Sequence, residues 1–298
     1  MKTLIALLLA AVAVTAAAQM PPPPDHIVIV IEENKGYSDV IKSPNAPYIN
    51  ALAKAGANFT NYHGLHHPSQ PNYLELFSGS NHGVCDDTCP PPGSPYATGN
   101  LAAALTAKSL TFAGYAEQLP NDLAFCTSDE YARKHCPWLD FSGIPASMSF
   151  DTARFPQTAA GFAALPTISF VIPDLLDDMH YSSGTTNNIP IEVKHGDAWL
   201  KKNLGAYATW AMTHNSLLVV TWDEDSSHYG NPCPNGIDTP SAQYPNLIPT
   251  IIVGQHVKAG GNGTMYTHYN LLRTIEDIYG LTPLGGSANA QPIAGIWK

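Results

Sequence analysis

The feature that most constrains this chain is a series of short apolar runs that alternate with helical patterns. Runs rich in β-branched residues are HIVIVI at 26–31, ISFVIP at 168–173 and LLVVTW at 217–222, and a further run is LIPTIIVG at 247–254. Uninterrupted runs of this length predict strands that are buried on both faces. Helical patterns lie between and after them, at 45–56, 71–78, 99–108, 195–213 and 268–279. This alternation predicts an α/β fold with a mainly parallel central sheet and helices on both faces.

Acidic residues follow three of the predicted strands directly. The run at 26–31 continues into EEN at 32–34, the run at 217–222 into DED at 223–225, and the run at 168–173 into DLLDDMH at 174–180. In open α/β sheets the ligand binds beyond the carboxyl ends of the strands, so these side chains are expected at one edge. Clustered carboxylates repel one another unless a cation neutralises them, and oxygen ligands with an imidazole suit a divalent ion. The alternative is that the acids are solvated turn residues.

A second signal is the segment HHPSQPNYLELFSGS at 66–80. Pro71 suits the first turn of a helix, which places Ser69 at the helix N-terminus. The free N–H groups and the helix dipole favour an anion there, and a metal-activated hydroxyl in that position can attack phosphorus. The alternative is that Ser69 only caps the helix.

The N-terminus carries the pattern of an exported protein. Residues 1–18 have one early Lys, an apolar run and a small-residue end, which is typical of a signal peptide. A retained membrane anchor is the alternative. A Pro-rich segment at 19–25 follows, and 26–298 is predicted to be a single domain with long loops at 80–100 and 225–246. We therefore expect a secreted or periplasmic protein with no stable membrane insertion.

The net charge and the cysteines limit which binding partners and bonds the chain is expected to have. The formal net charge of −10 disfavours nucleic acid, whose binding needs a basic surface. In an oxidising compartment the neighbouring cysteines suggest the disulfides Cys85–Cys89 and Cys126–Cys136, with Cys233 left over. A Cys136–Cys233 bond is an open alternative, and the spacings do not match a Cys₄ zinc site.

Eight collinear segments resemble one known family. They are IVIVIEENKGYSDV (27–40), HHPSQPNYLELFSGS (66–80), YAEQLP (115–120), YARKHCPW (131–138), FVIPDLLDDMH (170–180), HGDAWL (195–200), VVTWDED (219–225) and THYNLLRTIEDIYGL (267–281). The chain resembles the phosphoesterase family of secreted bacterial and fungal acid phosphatases and phosphatidylcholine-type phospholipases C, within the alkaline phosphatase-like superfamily. It is most similar to the short secreted acid phosphatases, including the phosphatidylinositol-3-phosphate phosphatase type.

The resemblance implies a metal site and a nucleophile. Glu33 and Asn34 would bind a divalent ion, and Asp223 and Glu224 stand where the superfamily carries a metal-binding pair. Ser69 would complete the metal shell and attack phosphorus. The family pattern favours one ion and leaves a second open.

Further residues would act on the substrate. By the same resemblance, Asn72 would hydrogen-bond a phosphoryl oxygen. His180 and His268 would hold the phosphoryl group or assist proton transfer, and Asp178 would orient groups or bind nearby. His67, beside the nucleophile, is expected to line the substrate site, although a structural role is an equal alternative.

The implied activity is that of a secreted, metal-dependent acid phosphatase. It would hydrolyse a small phosphorylated substrate, a phosphomonoester or a phosphoinositide, through a phosphoserine on Ser69. Two alternatives remain open from the sequence. One is a phospholipase C-like phosphodiesterase, and the other is a secreted binding protein without turnover.

Overall fold

The computed structural model describes residues 20–128, 130–181, 188–227 and 245–298. The predicted signal peptide at 1–18, most of the predicted loop at 225–246 and Cys233 lie outside these ranges. In the described residues the strands are β1 (His26–Glu32), β2 (Ala57–Phe59), β3 (Tyr62–His63), β4 (Phe112–Ala116), β5 (Thr127–Ser128), β6 (Tyr131–Ala132), β7 (Ser149–Asp151), β8 (Ile168–Ile172), β9 (Ser216–Trp222), β10 (Thr250–Gly254), β11 (Gly260–Asn262) and β12 (Tyr266–Thr267).

The helices pack on both sides of these strands. They are α1 (Tyr37–Val40), α2 (Pro47–Ala55), α3 (Ser69–Ser78), α4 (Leu101–Thr106), α5 (Ala159–Phe162), α6 (Ile189–Ala211) and α7 (His268–Tyr279). Helices α3 and α7 pack against each other, while α2 and α5 pack against α6. This arrangement confirms the predicted α/β fold.

The central sheet has the strand order β11-β2-β10-β9-β1-β8-β4-β7. Strands β9, β1, β8, β4 and β7 are parallel neighbours, whereas β10 is antiparallel to both β9 and β2. All seven residues of β1 and of β9 are buried, as expected for central strands covered on both faces. The carboxyl ends of β1, β8 and β9 therefore meet at one edge.

Strand β4 was absent from the sequence prediction. It lies between β8 and β7, and all five of its residues, FAGYA, are buried. Gly114 in its centre faces the Trp138 indole so closely that a Cβ atom would overlap the ring. The strand therefore needs a small residue where a β-branched residue would have signalled a strand.

Glycines end two of the helices that carry the site. Gly79 has a φ of 73° and closes α3, and Gly280 has a φ of 61° and closes α7. Glycine adopts this left-handed backbone without the steric penalty of a Cβ atom. The predicted end of the last helix at Gly280 is confirmed.

The predicted pairing of the cysteines was wrong. Cys89 is bonded to Cys126, with their Cα atoms 5.6 Å apart, and Cys136 is a buried thiol beside Tyr131. The prediction paired cysteines that are close along the chain, whereas the true partners are 37 positions apart and meet only in the fold.

Candidate active site

The centre of the site is the Glu33 carboxylate, directly after β1. Its side chain is fully buried. The Ser69 hydroxyl donates to Glu33 Oε2 over 3.1 Å, and the Asn34 amide donates to the same oxygen over 3.0 Å. His180 Nδ1 lies 3.0 Å from this oxygen. Sequence reasoning placed all four residues at the site, and the structure brings them into contact.

The second oxygen of Glu33 contacts two residues that had no predicted role. The Tyr73 hydroxyl donates to Glu33 Oε1 over 2.8 Å, and His135 Nε2 lies 3.0 Å from it. The two rings stack with their centroids 4.8 Å apart. Tyr73 stands one turn after Ser69 on α3, and His135 comes from a 3₁₀ turn at 133–135. Helical spacing from Ser69 is the one signal that could have identified Tyr73.

Ser69 is positioned by the start of α3. It is the first residue of the helix, it follows the extended Pro68, and it is 1% exposed. The N–H of Gln70 in the same turn donates to Asp87 Oδ1 over 3.1 Å, and Lys134 Nζ donates to Asp87 Oδ2 over 2.6 Å. The helix start and Lys134 therefore already hold an oxyanion, that of Asp87, beside the nucleophile.

Asn34 connects the ends of β1 and β9. Its backbone has a φ of 49°, in the left-handed region that Asn tolerates better than most residues. Its N–H donates to Asp223 Oδ1 over 3.1 Å. Asp223 Oδ2 is buried and makes no hydrogen bond to any described residue. The turn thus aims one amide and two carboxylates, those of Glu33 and Asp223, at a common point.

Two further acids surround this point. Asp178, after β8, is fully buried and accepts the N–H of His180 over 2.8 Å, while its carbonyl accepts the N–H of Glu33 over 2.7 Å. Glu224 Oε2 lies 2.8 Å from His67 Nδ1. The predicted convergence of the three strand ends is therefore present in the structure.

The acids do not share negative charge equally. Burial by itself raises the pKa of Glu33, but His135 and His180 outweigh burial and hold that pKa well below its usual value. Burial, and then the charge of Glu33, raise the pKa values of Asp178, Asp223 and Glu224 well above their usual range. The cluster therefore resists full ionisation unless positive charge is added, which is the property of a cation site.

Three residues with predicted roles on the substrate are held by contacts within the protein. Both atoms of the Asn72 amide are used by the loop before Ser69: Oδ1 accepts the N–H groups of residues 65 and 66, and Nδ2 donates to the carbonyls of residues 66 and 68. His268 is buried, with Nε2 3.1 Å from the Asp223 carbonyl oxygen, and burial lowers its pKa to about 4. His67 pairs with Glu224 and Asp225. Their direct roles stay predictions, and these contacts favour positioning roles.

A cleft of about 430 Å³ opens onto the nucleophile. Its lining consists of Asn34, Lys35, Pro68, Ser69, Asp87, His180, Tyr181, Ile189, Glu192, Glu224 and Ser226. Within this lining, Lys35 is buried, donates to the Met179 carbonyl over 2.6 Å and pairs with Glu192.

The fold defines the class of protein. A structure in the alkaline phosphatase superfamily from Vibrio parahaemolyticus superposes with a TM-score of 0.57 at 13% identity, covering 93% of this chain and 72% of that one. The C-terminal periplasmic domain of EptC from Escherichia coli superposes with a TM-score of 0.54 at 12% identity, covering 90% of this chain and 87% of that one. The chain has the alkaline phosphatase-like fold.

Residues 40–282 match the model of the phosphoesterase family, and the chain belongs to that family. It is thus a hydrolase of phosphoric ester bonds. It is similar to the phosphatidylinositol-3-phosphatase of Mycobacterium tuberculosis, with 42% identity over 268 residues, 90% of this chain and 81% of the relative. The phosphate-repressible acid phosphatase of Penicillium chrysogenum is 26% identical over 256 residues, and the chain spans about half the length of that relative.

Proposed function

We propose that this chain is a secreted, metal-dependent phosphomonoesterase that uses Ser69 as its nucleophile. The observation that carries the proposal is the contact between the Ser69 hydroxyl, at the start of α3, and Glu33 Oε2 within a cluster of buried carboxylates. The 42% identity to a phosphatidylinositol-3-phosphatase supports a phosphomonoester substrate and makes a phosphoinositide the first natural candidate.

The residues at the strand ends fit a divalent cation. Glu33, Asn34, Ser69, Asp223 and Glu224 would hold it, as oxygen donors in a setting where Asp223 Oδ2 is buried and unpartnered among the described residues. A bound ion would supply positive charge that favours ionised Ser69 and balances the phosphoryl oxygens. We propose a single ion at this position.

The chain's own groups account for the remaining steps. Ser69 Oγ, once its proton has passed to water in the cleft, forms a bond to phosphorus in line with the leaving alcohol, and the bond from phosphorus to the alcohol oxygen breaks. His180 faces the cleft and has its Nδ1 held by Glu33, which leaves Nε2 to give a proton to the alcohol. A water molecule then gives a proton to His180 and attacks phosphorus, and the bond from phosphorus to Ser69 Oγ breaks to release phosphate and the ionised Ser69. The start of α3 and Lys134, which now hold Asp87, would attract the phosphoryl oxygens.

Export is part of the proposal. The N-terminal pattern at 1–18 and the Cys89–Cys126 disulfide both suit an oxidising compartment. None of the described helices is long and apolar enough to cross a membrane. Fractionation of cells that express the full chain or a 2–18 deletion tests this: export of both forms, or of neither, contradicts the predicted signal peptide.

The deciding experiment compares ester classes and the nucleophile. The purified chain is given p-nitrophenyl phosphate, its bis-ester and a short-chain phosphatidylinositol 3-phosphate, each with and without a chelator. We expect chelator-sensitive monoester cleavage and a phosphorylated Ser69 peptide after acid quenching. Ser69→Ala should lower turnover by about 10⁴-fold or more. Ser142→Ala, a serine away from the cleft, is the matched control.

Every other outcome contradicts part of the proposal or supports one of the two alternative functions. A faster rate on the bis-ester indicates the phosphodiesterase alternative. A Ser69→Ala variant that keeps its rate contradicts the nucleophile, and a folded wild-type chain that cleaves none of the three esters favours the binding-protein alternative.

A further inference from the structure

Lys35 follows Glu33 and Asn34 after β1, and its ammonium group lies inside the protein. The residue is 3% exposed, although it contributes to the lining of the cleft. Its Nζ donates to the Asn34 carbonyl over 3.1 Å and to the Met179 carbonyl over 2.6 Å, and it lies 3.2 Å from Glu192 Oε2. An ammonium group has three N–H donors, so these three acceptors use all of them.

The two carbonyl groups belong to residues with the same unusual backbone. Asn34 has a φ of 49° and Met179 has a φ of 77°, both in the left-handed region. This conformation is costly for residues other than glycine, and it persists where surrounding groups fix it. Asn34 directly follows Glu33, and Met179 directly precedes His180. The Lys35 ammonium thus holds, by their carbonyl oxygens, two strained turns that carry residues of the site.

The relative position of these two turns places His180. Its Nδ1 lies 2.9 Å from Asn34 Nδ2 and 3.0 Å from Glu33 Oε2, and both partners come from the other turn. The Glu33 N–H donates to the Asp178 carbonyl over 2.7 Å and joins the same two turns through the backbone. A shift of one turn against the other would therefore move the imidazole away from Glu33.

Glu192 connects the same ammonium group to the start of α6. It is 1% exposed, and its Oε1 accepts the N–H of Asn188 over 2.9 Å. Ile189 and Glu192, in the first turn of α6, both line the cleft. One buried ammonium group thus joins the beginning of α6 to both turns.

Stability alone is a weak reason for this buried ion pair. The lost hydration of two buried charges offsets most of their attraction, and apolar replacement of both partners is often neutral or stabilising. The contacts with two backbone carbonyls give a stronger reason, because an apolar side chain at position 35 could not donate to either of them. The contacts therefore indicate that Lys35 fixes the geometry of the turns.

We propose that Lys35 is a positioning residue that keeps His180 aligned for proton transfer to the leaving alcohol. It acts through the Met179 carbonyl and the turn that leads to His180, while its own N–H donors stay on protein acceptors. This role rests on the proposed function, in which His180 Nε2 gives that proton. Loss of the ammonium group should therefore impair an ester more strongly when its leaving alcohol depends more on a proton.

The test compares two esters that differ in the leaving alcohol. Phenol is a much weaker acid than p-nitrophenol, so phenyl phosphate needs proton donation more than p-nitrophenyl phosphate does. Lys35→Met should lower kcat/KM by about 10²-fold for phenyl phosphate and by less than about tenfold for p-nitrophenyl phosphate. A loss of folded protein would lower both values equally. Lys108→Met, which removes an exposed lysine before β4, should change neither.

The double variant Lys35→Met/Glu192→Met separates alignment from stability. It removes both buried charges, so its free energy of unfolding should stay close to that of the wild type. The Met179 carbonyl still lacks its donor, and the change in the ratio of the two esters should persist. A double variant with the wild-type ratio overturns the proposal, as does a Lys35→Met chain with an unchanged ratio. If the single variant does not fold, the double variant decides alone.

A measurement on His180 itself keeps this role distinguishable from the proposed function. Diethyl pyrocarbonate modifies histidine rings, and peptide mass spectrometry gives the rate at His180. We expect this rate to be several-fold higher in the variants without Lys35 than in the wild type or Lys108→Met, because the ring is no longer held against Glu33. An unchanged rate overturns the proposal. A higher rate in a chain whose wild type cleaves no ester supports the positioning of His180 and counts against the proposed function alone.

Discussion

Two consecutive glutamates at the end of β1 have opposite surroundings. Glu32 and Glu33 are both fully buried. The oxygens of Glu33 contact Ser69, Asn34, Tyr73 and two histidines, whereas those of Glu32 have no hydrogen-bond partner among the described residues. Protein groups thus stabilise the carboxylate of Glu33, whereas the equally buried carboxyl group of Glu32 has no such support from the described residues.

The pKa values show the consequence of this difference. Neighbouring histidines overcome burial and keep the pKa of Glu33 well below its usual value, while burial and the charges of Asp177, Asp197 and Glu117 raise the pKa of Glu32 well above it. Burial alone therefore does not identify a catalytic acid. The identity of the groups around the carboxylate does.

The largest effect on activity is expected from neutralising Glu33, the glutamate that has hydrogen-bond partners in the protein. Glu33→Gln should lower kcat/KM for p-nitrophenyl phosphate by about 10³-fold, because it removes the charge that binds the proposed ion and orients Ser69. Steady-state kinetics at saturating metal measure it, with Asp25→Asn as a charge-matched control. A loss of less than about tenfold would remove Glu33 from the centre of the site.

A smaller effect is expected behind the nucleophile. Asn72→Ala should destabilise the chain by about 3 kcal/mol, because it leaves buried N–H and carbonyl groups of the loop before Ser69 without partners. Chemical denaturation measures the free energy of unfolding. An unchanged stability with a raised KM would instead support the sequence prediction that Asn72 binds a phosphoryl oxygen.

The unpartnered glutamate should respond in the opposite direction. In chelator at neutral pH, Glu32→Gln should stabilise the chain by about 2 kcal/mol, since it removes a buried acid whose ionised form no described residue compensates. Chemical denaturation of both chains at the same pH checks the sign. A Glu32→Gln chain less stable than wild type under chelation contradicts the absence of a partner.

Removal of a single hydrogen-bond partner of Glu33 is expected to lower kcat/KM less than removal of the Glu33 charge. Tyr73→Phe deletes the hydroxyl that donates to Oε1 and should lower kcat/KM by about tenfold, while the ring and its stacking on His135 stay. Kinetics across a metal titration distinguish weaker ion binding from slower turnover. Tyr207→Phe, which deletes a buried hydroxyl that donates to the Leu217 carbonyl near the start of β9, provides the comparison.

A third buried acid gives the smallest effect. Burial raises the pKa of Asp140 to about 6, against the opposing pull of its partner Arg133 at 2.5 Å. The folded chain therefore holds this proton more tightly than the unfolded chain, whose Asp pKa is about 3.9. Its contribution to stability is complete below about pH 4 and is lost as the pH rises through about 6. Asp140→Asn should flatten the pH dependence of stability in this window by on the order of 1 kcal/mol.

The central fold was predictable from the sequence because its signals are local. β1, β8 and β9 are uninterrupted apolar runs, and α7 has its apolar residues on one face and a glycine at its end. The sequence did not predict β4, because this strand contains alanine and glycine instead of β-branched residues. β2, β7 and β11 are three-residue strands, too short to show a period.

The site was predictable where a motif coincides with the end of a strand or the start of a helix. Glu33 and Asp223 follow predicted strands, and Ser69 begins a predicted helix. His135 comes from a 3₁₀ turn 102 positions after Glu33 and is brought there by packing against α3, which no local pattern encodes. The Cys89–Cys126 bond was missed for the same reason.

The left-handed backbone at Asn34 limits what can replace it. Glycine would accept the φ of 49° but has no side-chain amide to donate to Glu33. Aspartate also tolerates this backbone, but it would add a further negative charge to the cluster of carboxylates. Alanine or glutamine would have to force the turn that carries Glu33. Position 34 thus requires both a residue that tolerates a left-handed backbone and a neutral side-chain amide, and asparagine meets both requirements. A deep mutational scan should find it among the least tolerant positions of the domain.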